Sequence, residues 1–328
     1  MPLAMPKPKR TRRLGVAFLM HPLKGWDFDG DTSLSIIAEC HARGHAIYFM
    51  ESKDLFLKNA ALHAHLWPCR PDPRTGLTLG RREEKNLERM DCVVIRKEPP
   101  FDADYLSCTY LLDFLRGKTF LLNDPAGIRN TNEKLSSLAF PAAPRSVAGY
   151  VPDTLLPFIR SRRGRPVVLK RTDQKGGIGI LKTSSRDPAL VRKIRELSAN
   201  GKRAVLAQEF IPHARTGDKR ILLLDAKPVG TFVRYPPQTD FRANMAVGGT
   251  MGPGKLDRQD RAIIRSLRTF LRSNGLHFVG IDVIGGRLTE VNVTSPAGIP
   301  EVNALYGTRI EETVADFIEE RSASLKRS

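Results

Sequence analysis

Asp282, Glu290 and Asn292 stand close together near the C-terminal end of the chain, on two β-rich runs that flank Gly285–Gly286. That pattern is a hairpin signal. Glu290 and Asn292 are two residues apart on a strand and therefore point from one face. Asp282 joins that face only if the turn has an odd length, because a two-residue loop pairs it with Thr289 and sends its carboxylate to the other side. A three-residue turn, Gly285 to Arg287, is therefore expected, with Asp282 opposite Glu290. Two carboxylates and an amide oxygen on a rigid hairpin suit Mg²⁺, with Mn²⁺ as the alternative, held so that it keeps waters and bridges substrate phosphates. A solvated polar face on an amphipathic hairpin would carry the same residues.

Cations that could face such an ion occur upstream. Lys134 follows Asn132-Glu133, where the sequence reads as a capped helix start, and an ordinary solvated lysine reads the same way. Lys170 ends the apolar run Pro166–Leu169 and precedes a glycine-rich turn, Asp173 to Gly179. Glycines in a strand-turn-strand can present backbone N–H groups to phosphate, with the lysine as a point charge. The stretch lacks Gly-Lys-Ser/Thr and a following helix, so it is not a Walker loop. Arg220, Arg234 and Arg242 recur between apolar runs, and guanidinium groups hold carboxylates or phosphates through paired hydrogen bonds.

The elements that must position these groups read as α/β. Leu14–Met20 and His45–Met50 are strands around a helix capped at Asp31-Thr32-Ser33, a βαβ unit that implies a parallel sheet. Asp91–Ile95 and Thr119–Leu122 continue it around a helix, Asp102–Leu115. Residues 62–89, rich in Pro, Gly and Arg, show no clear period and are left unassigned. Pro141, Pro144 and Pro152 mark a linker. Helices are expected over Asp153–Arg162, Asp257–Ser273 and Thr308 to about Leu325, and strands over Ala204–Phe210, Ile221–Leu224 and Pro228–Arg234.

At 328 residues and 41% hydrophobic content the chain suits two or three packed units. No apolar run nears the roughly 18 residues needed to cross a bilayer, so no membrane role is expected. Four scattered cysteines without C-x-x-C spacing point to a reducing cytoplasm. The net charge of +18 implies anionic partners or substrates. Nucleic acid is not the expected partner, because the excess is spread along the chain apart from a basic tail, Lys7 to Arg13, and no zinc-finger, RRM or KH signature accompanies it.

The order of these signals resembles the ATP-grasp superfamily, and within it the bacterial type of glutathione synthetase. The resemblance is carried by Arg96-Lys97-Glu98-Pro99-Pro100-Phe101-Asp102, Asn132-Glu133-Lys134-Leu135, Gly217-Asp218-Lys219-Arg220, Arg242-Ala243-Asn244 with Gly248-Gly249, and Phe278 through Pro296. It implies an ATP-grasp fold preceded by an open parallel, Rossmann-like α/β domain. The expected limits are a basic mobile tail over 1–13, an N-terminal substrate domain over 14–130, a central ATP-grasp subdomain with the lid over 131–204, and a C-terminal subdomain with the metal site over 205–328.

The same resemblance implies an ATP-dependent ligase that joins γ-glutamylcysteine to glycine through an acyl phosphate, in a homo-oligomer. It assigns Asp282, Glu290 and Asn292 to Mg²⁺. Lys134, Lys170 and the lid residues Gly176 and Gly177 fall to the ATP phosphates, and Gln208, Glu209, Phe210, Ile211 and Asp218 to the adenosine edge. Arg220 and Arg242 become the catalytic cations, and Arg234, Asn244 and Ser295 the substrate-carboxylate holders. The chain departs from the pattern at His21 and Glu98, where aspartates are usual, at Lys175 in the lid, and at Ala297, where a hydroxyl residue usually helps hold the glycine carboxylate. Those departures keep open a ligase for another amine, one that adds an amino acid to a peptide or protein end. A basic nucleic-acid-binding protein on a degenerate ATP-grasp frame is a further alternative, opposed by the intact lysines and oxygen ligands.

Overall fold

The computed structural model describes residues 12–23, 28, 30–212, 217–243 and 248–327. In the N-terminal domain, β1 (Gly15–Met20) lies inside a sheet because its apolar run is buried on both faces. Val16, Phe18 and Met20 pack with Ile36 and Ile37 of α1 (Thr32–Ala42), while Ala17 and Leu19 join the cluster that holds Leu112 of α2 (Ala103–Leu112). α1 starts where the Asp31 side chain accepts from the Leu34 amide at 2.9 Å. β1 pairs in parallel with β2 (Ala46–Met50) and β7 (Cys92–Arg96), and β7 with β8 (Phe120–Leu122).

The unassigned stretch at 62–89 is mostly strand, ending in a 3₁₀ segment at Leu87–Arg89. β3 (Leu55–Lys58), β5 (Gly76–Leu79) and β6 (Glu83–Asn86) all pair with the long β4 (Ala61–Asp72), which runs antiparallel to β2. Leu62, Ala64 and Leu66 point inward with period 2. Pro68 and Pro71, which break a strand reading, conceal that period. After α3 (Pro125–Asn130) the expected helix start at Lys134 is instead a turn, in which the Asn132 side chain accepts from the Lys134 and Leu135 amides and a 3₁₀ segment follows.

The central sheet has the order β11-β10-β12-β9, from β9 (Ser146–Gly149), β10 (Val167–Arg171), β11 (Ile180–Thr183) and β12 (Val205–Glu209). β9 lies inside the expected linker, and β12 carries this sheet past residue 204. α4 (Pro152–Ser161) and α5 (Leu190–Leu197) cover one face, with Leu155, Ile159 and Ile194 against Val167 and Leu169. Alternation then turns Val168 and Lys170 to the opposite face.

The C-terminal sheet, β15-β14-β13-β16-β17, joins β13 (Asp218–Leu224), β14 (Lys227–Tyr235), β15 (Thr250–Pro253), β16 (Phe278–Ile284) and β17 (Arg287–Asn292). α6 (Arg258–Ser273), α7 (Ile299–Tyr306) and α8 (Ile310–Leu325) complete it. α7 was not expected from the sequence. It begins at Gly298, at φ 137°, where a Cβ would fall 2.8 Å from the Phe232 ring.

The hairpin turn corrects the expectation while keeping its consequence. Ile284 pairs with Arg287, so the turn is the two residues Gly285–Gly286 rather than three. A bulge then absorbs Thr289, and Asp282 faces Glu290 while Gly280 faces Asn292. The extra residue moved from the turn into the strand, and the carboxylates share a face all the same.

Candidate active site

A cleft lies between the central and C-terminal sheets, lined from both. Its floor is the hairpin and β13, and its roof is the loop between β10 and β11. Asp282 is 4% exposed. Arg220 grips it with two bonds, Nε to Oδ1 at 2.6 Å and Nη2 to Oδ2 at 3.0 Å, and Arg234 Nη2 reaches Oδ2 at 3.0 Å. Asn292 Nδ2 donates to the same Oδ2 at 3.3 Å. Burial alone would raise the Asp282 pKa, but the two guanidinium groups override it and hold the carboxyl below the ordinary range.

Asp218, expected at the adenosine edge, belongs to this cluster. It sits across from Arg234 on the β13–β14 ladder and accepts from Nη2 at 2.5 Å. Burial pushes its pKa up to about 6 against Arg234, and Asp282 and Glu290 add to the rise. Arg234, expected to hold a substrate carboxylate, has its guanidinium between Asp218 and Asp282.

Three carboxylates thus crowd two guanidinium groups, with Glu290 a further 3.6 Å from Lys170 Nζ. Asp218 Oδ1 is buried without a hydrogen-bond partner. A close cluster of carboxylates with one orphaned oxygen is an environment a divalent cation relieves, and its donors are hard. Among the described residues no three His, Cys, Asp or Glu side chains form a ready metal-binding group. An ion here therefore depends on Asp282, Glu290, the Asn292 amide and substrate oxygens together, and the residues present fit one.

On the roof side, Lys134 and Lys170 are 3% and 7% exposed and both line the cleft. Lys134 Nζ donates to the Gln174 carbonyl of the lid. Gly176 and Gly177 line the cleft at φ 64° and 83°, in the left-handed region open to glycine. Arg242 is fixed by Asp240, Nη2 to Oδ2 at 2.6 Å, and its Nη1 donates to the Gly177 carbonyl at 2.9 Å. It thereby buttresses the lid. Gln208, Glu209, Phe210 and Ile211 form the third side. Gln208 is buried and donates to Ser146 Oγ at 3.2 Å, while the Glu209 carboxylate is tied to the Arg145 amide and to Arg162. The Phe210 ring meets Phe241 edge-on at 6.2 Å, and Lys182 stands over it at 4.0 Å.

Ser295 lies outside this cleft, half-buried in a loop whose next two carbonyls accept from Arg96 (Pro296, 2.8 Å) and Arg220 (Ala297, 3.1 Å). Asn244 lies outside the described residues. Sequence reasoning missed Asp240 and Glu133 as positioning groups. Glu133 Oε1 accepts from the Val293 and Thr294 amides and from Thr294 Oγ1, which joins the Lys134 turn to the end of the hairpin. Its adjacency to Lys134 was the available signal.

The profile for the N-terminal domain of prokaryotic glutathione synthetase matches residues 14–129, and that for its ATP-grasp domain matches residues 133–307. The glutathione synthetase of Thermosynechococcus vestitus is 36% identical over 318 residues, 93% of this chain and 99% of the relative. That of Coxiella burnetii is 36% identical over 316 residues, 95% of this chain and 98% of the relative. Among solved structures, a D-cycloserine synthetase superposes with a TM-score of 0.64 at 14% identity, over 93% of this chain and 100% of that one. The ATP-grasp ligase PsnB, complexed with a minimal precursor, gives 0.64 at 16% identity, over 95% and 99%. These two likenesses show the ATP-grasp fold. With both domain profiles and nearly full-length relatives matched, the chain belongs to the prokaryotic glutathione synthetase family.

Proposed function

We infer that this chain is an ATP-dependent ligase that joins γ-glutamylcysteine to glycine, giving glutathione, ADP and phosphate. The observation that carries the reading is the cleft itself, where buried Lys134 and Lys170 face the Asp282–Glu290 pair. The dipeptide carboxylate takes the γ-phosphoryl group from ATP, and the glycine amine then displaces phosphate from the acyl phosphate. Lys134 and Lys170 hold the phosphates as point charges, and Phe210 and Ile211 wall the base. Asp282, Glu290 and Asn292 would hold Mg²⁺, or Mn²⁺ in its place, which neutralises charge on the transferring group when bound. Arg220, whose Nη1 donates to the Ala297 carbonyl at 3.1 Å, would turn that donor to the tetrahedral oxyanion. The lid keeps water from the acyl phosphate.

A second reading, the same chemistry with another amine, is supported by the exposed Ala297 in place of a hydroxyl residue. Phosphate release from MgATP with γ-glutamylcysteine, compared across glycine and a panel of amines, decides between them. Glycine-dependent release is expected, and release that follows a different amine overturns the glycine assignment.

The four cysteines are free and buried, and no described helix is long and apolar enough to cross a membrane. On that support we place the enzyme in the cytoplasm. We also propose a homo-oligomer that uses the exposed Tyr110 and Phe114, four residues apart. A monomer in sedimentation at micromolar concentration would remove that part of the reading.

A further inference from the structure

Lys175 lies at the tip of the lid, and its ammonium pairs with the Glu98 carboxylate of the N-terminal domain. Glu98 follows β7 at the carboxyl end of the parallel strands, where open α/β sheets gather their ligands. His21 after β1, Glu51 after β2, Asp31 at the start of α1 and Arg96 at the end of β7 are ionisable groups nearby, and Lys97 is paired with Asp104. Lys175 feels the field of Asp31 and Arg96, and His21 feels that of Lys175. Burial lowers the pKa of the Lys175 ammonium, with Asp31 opposing and Arg96 adding. His21, Glu98 and Lys175 therefore gather beside the carboxyl end of that sheet, and Lys175 also lines the cleft.

That cluster is linked to the proposed reacting centre through backbone contacts. Arg96 holds the Pro296 carbonyl and Arg220 the next one, so the loop of Ser295 connects it with the Asp282 cluster. Its charges are mixed in sign, which does not suit a polyanion. A lone pair between side chains that are 44% and 32% exposed contributes little by itself. A zwitterion changes that, because its carboxylate satisfies the lysine while its ammonium satisfies the glutamate, and one ion pair becomes two. γ-Glutamylcysteine ends in such a group. The γ-linkage leaves the α-ammonium and α-carboxylate of its glutamyl residue free, at the end away from the carboxylate that is phosphorylated.

We propose that Lys175 and Glu98 form the subsite that reads the zwitterionic α-amino acid head of the dipeptide, Lys175 binding its carboxylate and Glu98 its ammonium. Because Lys175 is part of the lid, closure over ATP is then favoured by the correct acyl substrate. The proposal rests on the ligase reading above and adds two specificity-determining residues to it.

Two analogues separate the two contacts. Glutaryl-cysteine lacks the α-ammonium, and 4-aminobutyryl-cysteine lacks the α-carboxylate. Lys175→Met is expected to raise KM for γ-glutamylcysteine about ten-fold or more, as loss of a charge-assisted hydrogen bond does, while leaving KM for 4-aminobutyryl-cysteine unchanged. Glu98→Gln should do the same for γ-glutamylcysteine and leave glutaryl-cysteine unchanged. kcat at saturation stays near the parent value in both. Equal weakening of all three acyl substrates, or none, would overturn the proposal, since a merely structural latch does not distinguish them. The same comparison by calorimetry with a non-hydrolysable ATP analogue does not require turnover. If the parent binds γ-glutamylcysteine with this charge dependence but makes no amide with any amine, the ligase reading fails and the subsite stands. If the parent does not bind the dipeptide, the subsite falls.

Discussion

The hairpin wall of the cleft and the lid wall hold their charges differently. On β16 and β17, Asp282 is nearly inaccessible and accepts from Arg220, Arg234 and Asn292, groups on strands of the same sheet. On the lid, Lys134 and Arg242 donate to the backbone carbonyls of Gln174 and Gly177, and Lys175 reaches a different domain altogether. The first wall is fixed by sheet register. The second is tied by cations, among them Lys134, which the proposed reading gives to the ATP phosphates. A rigid wall suits groups that must be preorganised where charge develops, and a lid tied by exchangeable contacts suits nucleotide entry and release. Substitutions in the first should therefore appear in kcat, and in the second chiefly in substrate affinity.

The largest effect is expected at Glu290→Gln. The change keeps shape and removes one of the carboxylates at the crowded cluster, so kcat should fall about 100- to 1,000-fold. Melting temperature should stay close to the parent's, because Glu290 is only partly buried and at 3.6 Å from Lys170 makes no short ion pair. A kcat within a few-fold of the parent would remove Glu290 from the reaction and blur the contrast between the walls.

Lys134→Met tests the other wall. Its aliphatic stem is buried and is replaced by a side chain of similar length, so packing is kept while the point charge is lost. KM for ATP is expected to rise about ten- to a hundred-fold, with kcat at saturating ATP reduced much less. A collapse of kcat with KM unchanged would make Lys134 part of the rigid apparatus.

How much of this was legible follows the same division. The oxygen face of the hairpin, the strand bearing Lys170 and the glycine lid were visible, because periodicity 2 and glycine runs are local signals. The bulge at Thr289 was not, since nothing in Leu288-Thr289-Glu290 marks which strand takes the extra residue. Nor was the capture of Asp282 by Arg220 and Arg234, which requires β13 to lie between β14 and β16. Residues 62–89 were opaque for a different reason, because Pro68 and Pro71 sit within a strand that their chemistry argues against. Lys134 lines the cleft, but from a turn where the sequence reads as a helix start.

The crowding on the rigid wall predicts a pH dependence of stability in the ligand-free protein. The Asp218 pKa is raised to about 6 by burial and its acidic neighbours, above its unfolded value. A raised carboxyl contributes stability that is fully present below the unfolded pKa and is lost as pH rises through the folded one. Between about pH 4 and pH 6 the apo-protein should lose on the order of 1–2 kcal/mol from this group. Asp218→Asn should flatten that part of the stability profile in chemical denaturation. A profile unchanged by the substitution would mean that Arg234 keeps Asp218 fully ionised throughout that range.

The smallest effect is expected outside both walls, at Ala297→Thr. Ala297 is exposed, and its carbonyl rather than its side chain touches the site, through Arg220 Nη1 at 3.1 Å. The next residue, Gly298, is fixed at φ 137° against the Phe232 ring, so the loop has little freedom to adjust around a new side chain. A threonine hydroxyl there can donate one hydrogen bond to the carboxylate of the incoming amino acid without entering the Asp282 cluster. One neutral donor is worth about 0.5–1.5 kcal/mol, so KM for glycine should improve about three- to ten-fold while kcat and KM for ATP hold. Alanine and serine, which use the room left by the small side chain, should lose ground to glycine in the variant. If KM for glycine does not move, a backbone amide of the same loop already holds that carboxylate, and the discrimination between amines lies elsewhere than in residue 297.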